Sequence, residues 1–100
     1  MVTLEPVQVG GHILVGVEVK LPKTTLLSIS TDKGYIMCGA LDIGLLNERL
    51  ADRQIIAARA VGVRTIAQLL AAPMESVTIE AEKLGIVPGM SGTEALQLML

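Results

Sequence analysis

Over the first forty residues the apolar side chains recur at every second position, and beyond residue 42 they recur at every third or fourth. The first spacing is that of a strand with two unlike faces, the second that of an amphipathic helix. Val7 and Val9 alternate with polar neighbours and lead into a Gly10–Gly11 pair, which predicts a turn. From His12 to Leu21 the alternation is clear: Ile13, Val15, Val17, Val19 and Leu21 share one face. His12, Gly16, Glu18 and Lys20 share the other, with Leu14 out of step. Pro22 ends this strand because it has no N–H to give to a ladder. A third strand is expected from about Thr25 to Thr31, and Asp32-Lys33-Gly34 supplies the next turn. The fourth, Tyr35 to about Gly39, is nearly all apolar and reads as buried on both faces.

The helical period begins after Asp42, an expected N-cap, with Ile43, Leu46 and Leu50 on one face and Leu45 beside them. A short fifth strand runs from Ile55 to Val61 and is closed by Gly62. Thr65 and Gln68 have the spacing of a capping box for a short helix that carries Ile66, Leu69 and Leu70. Pro73 suits the first turn of another helix, with Val77, Ala81 and Leu84 on one face and Gly85 as its C-terminal cap. Ser91 and Glu94 repeat the capping box before a last helix with Ala95, Leu96 and either Leu98 or Met99 inward.

Four strands as an antiparallel meander, a helix, a fifth strand and three short helices are largely segregated along the chain, which predicts an α+β fold. No linker, repeat or low-complexity tract divides it, so residues 1–100 are expected to form one domain, β-rich over 1–40 and mainly helical over 41–100.

Composition adds one tension. Hydrophobic residues make up 51% of 100 residues, with no Phe or Trp and Tyr35 as the only aromatic. A core of Leu, Ile, Val, Ala and Met is implied, with more aliphatic surface than a chain this short buries by itself. The longest charge-free runs, between Glu5 and Glu18 and between Arg64 and Glu75, are too short for a membrane-spanning helix. No secretory signal pattern opens the chain, and one cysteine excludes an intrachain disulfide, so a cytoplasmic location is expected. Eight basic against ten acidic residues, unclustered, argue against a nucleic-acid partner. Lys20 and Lys23, beside Glu18, read as an ordinary solvated edge.

Candidate chemistry gathers where the fourth strand gives way to the first helix. Cys38, followed by Gly39 and Asp42, would bring a thiol and free backbone N–H groups near a helix start, a setting that favours thiolate or a bound anion. The competing reading makes Cys38 a small core hydrophobe. Arg59, on a strand otherwise made of Ile and Ala, requires a carboxylate, a backbone acceptor or an anionic ligand. Asp42 is a possible partner, and Arg64 lies just beyond the strand. A structural ion pair is the competing reading for Arg59. His12 has no second histidine to work with, and no spacing suits a metal site, so no metal or cofactor is expected. The glycines between Gly85 and Gly92 lack the Lys-Ser/Thr signature of a phosphate loop and read as caps and turns.

The blocks EVKLPKTTLL, DKGYIMCGALDIGLLNERL, AARAVGVRTIAQLLAAPMESVT and EKLGIVPGMSGTEAL closely resemble the YunC-like family, a bacterial and archaeal family of unknown function and about this length. The resemblance runs over nearly the whole chain. It implies a tetramer assembled through the β-rich N-terminal region, here Val2 to Thr31, and it transfers no catalytic residue. The leading expectation is therefore a homo-oligomeric scaffold or small-ligand-binding domain joined through its N-terminal strands. The alternative is a thiol-dependent or small-anion-handling enzyme at Cys38 and the following helix start, with Gly39, Asp42, Arg59 and Arg64 around the ligand. A regulatory sensor that uses the same cleft without turnover is the third reading.

Overall fold

The computed structural model describes residues 1–39, 43–48 and 53–100, with residues 44–46 described by their backbone only. Among the described residues six strands form one mixed sheet: β1 (Val2–Val9), β2 (His12–Leu21), β3 (Thr24–Ser30), β4 (Gly34–Met37), β5 (Ile56–Arg59) and β6 (Ser76–Val77). They lie side by side in the order of the chain. The helices are α1 (Ile43–Glu48), α2 (Ile66–Ala71), α3 (Ile79–Lys83) and α4 (Gly92–Leu98).

The first four strands are the expected antiparallel meander. Gly10 and Gly11, with φ of +55° and +82°, make the two-residue turn that pairs Val9 with His12. Both residues of such a turn need left-handed backbone, which glycine adopts without a Cβ penalty. Thr31 closes the β3–β4 turn: its Oγ1 accepts from the N–H groups of Lys33 and Gly34 at 3.1 and 3.0 Å. Strand β5 then pairs parallel to β4, which requires the chain to cross over through α1, and β6 returns antiparallel to β5.

The two faces of the sheet differ. Val7, Val9, Leu14, Leu27, Ile29, Ile36, Cys38, Ala58 and Ala60 point to one side and meet Ile66 and Leu69 of α2, Ala81 of α3 and Ala95, Leu96 and Met99 from α4 and its C-cap. Helix α1 lies on the opposite side, where Ile43 packs with Ala57, Tyr35 and Ile55. Leu14, out of step in the β2 pattern, is thus the residue that enters the core. The regular apolar series Ile13, Val15, Val17, Val19 and Leu21 faces away from it.

The N-cap bond of each expected capping box forms, while the return bond goes elsewhere: Gln68 Oε1 accepts from the Arg64 N–H at 2.8 Å and Glu94 Oε1 from the Ser91 hydroxyl at 3.0 Å. Gln68 N–H donates to Thr65 Oγ1 at 3.1 Å and Glu94 N–H to Ser91 Oγ at 3.2 Å. Of the two inward candidates at the last helix, Met99 is buried and Leu98 is exposed. Helix α4 begins at Gly92, where a Cβ would run into the Leu69 carbonyl oxygen and come within 3.1 Å of the Leu70 Cα, so the α2–α4 crossing depends on its absence.

The helix expected from Pro73 to Leu84 is corrected. Pro73 makes a bridge with Ser91, Ser76–Val77 is strand β6, and helix begins only at Ile79. Pairing with β5 decides this: Glu75 N–H donates to the Arg59 carbonyl at 2.6 Å and Thr78 N–H to the Ala57 carbonyl at 2.9 Å. Thr78 is the hinge between the two states. Its buried Oγ1 accepts from Ala57 N–H at 3.1 Å on β5 and from Ala81 N–H at 3.2 Å, capping α3. Gly85 closes the other end, donating to the Glu82 carbonyl at 2.9 Å. No helix among the described residues is long and apolar enough to cross a membrane.

Candidate functional site

The last residue of β4 and the two that follow divide the expected site between the faces of the sheet. Cys38 continues the β3–β4 ladder, donating its N–H to the Leu27 carbonyl at 3.1 Å. Alternation turns its side chain to the helix-covered face, where it is 5% exposed. Its sulfur accepts from the Leu27 N–H at 3.4 Å and lies 4.0 Å from the Thr25 carbonyl oxygen. The thiol sits among Leu27, Ala60 and their neighbours in the main core, a setting in which cysteine packs as a small hydrophobe.

Arg59 is on the opposite face. It is in register with Met37 on β4 and with Ser76 on β6. A Cβ added at Gly39 would lie 3.8 Å from the Arg59 guanidinium, so these two expected site residues are brought together. The guanidinium pairs with Glu75 at 3.6 Å, both side chains being partly exposed. Arg59 Nε and the Ser76 Oγ are buried without a hydrogen-bond partner among the described residues. Asp42, the expected N-cap and partner of Arg59, lies outside the described residues. The thiol and the guanidinium therefore do not line one pocket: the sheet stands between them.

Arg64 is elsewhere again. It stands at a cleft of about 510 Å³ between the β2–β3 turn and the loop from β5 to α2, lined by Lys23, Thr24, Thr25, Gly62, Val63 and Arg64. Lys20 and Lys23, read together as a solvated edge, part company here. Lys20 pairs with Glu18 at 3.7 Å, and Lys23 lines the cleft. Lys23 was legible as more than an edge residue only through Pro22–Lys23, a two-residue turn with lysine where glycine is usual. His12 borders a separate 370 Å³ depression with Asp32, Lys33 and Leu100. No group of three or more His, Cys, Asp or Glu that could hold a metal occurs among the described residues.

A further feature is not a pocket. Cross-strand register places Val2, Leu4 and Pro6 of β1 beside Val19, Val17 and Val15 of β2, with Ile13 and Leu21 extending the row, and Leu26, Ser28 and Ser30 of β3 continuing it. No charged residue belongs to this face over β1 to β3. Glu5, Glu18 and Lys20 all fall on the alternate positions, toward the helix side. Pro6 fits a strand only because β1 is at the sheet edge, where its missing N–H breaks no ladder bond.

The comparisons fit this architecture. The chain is 60% identical over 100 residues to the uncharacterized protein YunC of Bacillus subtilis (strain 168), covering 100% of this chain and 99% of that one. The crystal structure of a protein of unknown function, TA1206 from Thermoplasma acidophilum, superposes with a TM-score of 0.89 at 30% identity, covering 100% of this chain and 94% of the other. Residues 37–99 match the family described as Domain of unknown function (DUF1805), and the chain belongs to that family.

Proposed function

We propose that the protein is a homo-oligomeric domain whose subunits join through the open face of β1, β2 and β3, with the tetramer implied by the sequence resemblance as the assembled state. The observation that carries this reading is the inverted distribution of charge on those strands. In a sheet that works alone, the face away from the core is the polar one. Here that face is uncharged and aliphatic, with Leu4 68% and Ile13 75% exposed. A contiguous apolar patch of this kind is a feature of interaction surfaces. A second copy of the chain is the occupant that fits. The face over β1 to β3 is uncharged, so a two-fold axis brings like onto like without repulsion. Small, even-sized Val, Leu and Ile rows also interdigitate when two sheets stack face to face.

Light scattering on the purified protein at micromolar concentration tests the proposal. A mass that is a multiple of the 10.5 kDa chain is expected. Substituting Leu4→Lys and Ile13→Lys together should return a folded monomer, judged by unchanged far-ultraviolet circular dichroism. A monomeric wild-type protein overturns the reading.

A further inference from the structure

The Lys23–Arg64 cleft opens at the β2–β3 turn, and its chemistry differs from that of the aliphatic face. We propose that it binds the phosphoryl group of a small phosphorylated molecule. Three observations converge on it. The first is charge: in a chain of formal charge −2, both ionisable residues that line the cleft are cations, and among the described residues no carboxylate lines it. Neither Lys23 nor Arg64 has an acidic partner among the described residues, whereas Lys20, Arg59 and Lys83 each do.

The second is the backbone that presents Lys23. Leu21 pairs with Thr24, so Pro22 and Lys23 make a two-residue turn, and Lys23 has φ +63°. That region is left-handed, where a side chain is disfavoured and glycine or asparagine is usual. Lysine is held there against its backbone preference, and a residue kept in such a conformation points to a role for its side chain. The third is the donor set and its size. Two cations, two lining threonines of which strand alternation turns only one hydroxyl inward, and about 510 Å³ of space match the charge and several acceptor oxygens of a phosphoryl group better than a single carboxylate.

The test is titration of the native protein with inorganic pyrophosphate in 0.15 M NaCl, followed by calorimetry and by 31P line broadening, with citrate as the carboxylate control. Pyrophosphate should bind, and Lys23→Gly and Arg64→Gln should each weaken it by about tenfold or more. Lys23→Gly also relieves the left-handed backbone, so its melting temperature should hold or rise while binding falls, which separates loss of ligand from loss of fold. No heat and no broadening up to about 10 mM pyrophosphate overturns the site. Equal binding by wild type and both variants overturns it as well, and citrate binding without pyrophosphate binding overturns the phosphoryl class. The cleft is built from one chain, so these outcomes do not depend on the assembly proposed above.

Discussion

Ile13 and Leu14 are consecutive in β2, yet Leu14 is 7% exposed beneath the helices while Ile13 is 75% exposed on the other side of the sheet. Two side chains of one volume and one chemistry thus have opposite duties. Leu14→Ala should cost about 2–5 kcal/mol of stability, the usual range for an emptied core leucine. Ile13→Ala should leave a subunit's own fold nearly unchanged and weaken self-association instead. Denaturant titration at two protein concentrations separates the two, because only the association term depends on concentration.

Thr78 links a strand to a helix through one oxygen, which accepts from both Ala57 and Ala81. Thr78→Val keeps the shape and removes the acceptor, leaving two buried N–H groups unpaired. A loss of about 2 kcal/mol is expected from the cap and the stranded donors. Thr78→Ser retains the oxygen and should recover most of it, as read from urea midpoints.

Cys38 offers a direct measure of how closed the core is. Its sulfur is enclosed on the helix side, and its contacts are the Leu27 N–H and the Thr25 carbonyl. Labelling by a thiol reagent should be slower in the folded protein than in urea by about a hundredfold or more, in step with the population of open molecules. Rapid stoichiometric labelling under native conditions would refute the burial and revive a reactive role.

Gly92 should not tolerate a methyl group. Its missing Cβ is where the Leu69 carbonyl and Ile36 come close, so Gly92→Ala has to push α4 away from α2. The better helix propensity of alanine is worth roughly 1 kcal/mol, and overpacking of this kind costs about 1–3 kcal/mol. A lowered melting temperature is expected, and a raised one would show that the two helices are free to separate.

Much of the architecture followed from local patterning. The period-two run from His12 to Leu21, the Gly10–Gly11 and Asp32–Gly34 turns and the Thr65 and Ser91 caps depend on residues within a few positions of one another. Such interactions are written where they act. From Pro73 to Thr78 the local signals fit helix, but the partner strand lies some twenty residues earlier in the chain, and helix follows only from Ile79. Pairing with Ala58 and Arg59 outweighs propensity there.

The sequence by itself determined which residues of β2 share a face, since alternation is a property of the strand. Tertiary structure alone decided which face is inside. The helices carry one set of apolar residues and settle over Leu14, Leu27 and Ile29, leaving the more regular row of Ile13, Val15 and Val17 outward. The same distinction governs the site. The sequence allows Cys38 and Arg59 one pocket only if they meet in space, and alternation from Met37, the register partner of Arg59, puts the thiol and the guanidinium on opposite sides of a sheet. Lys23 and Arg64, forty-one positions apart, meet at one cleft because the β2–β3 turn and the loop after β5 lie at the same end of that sheet.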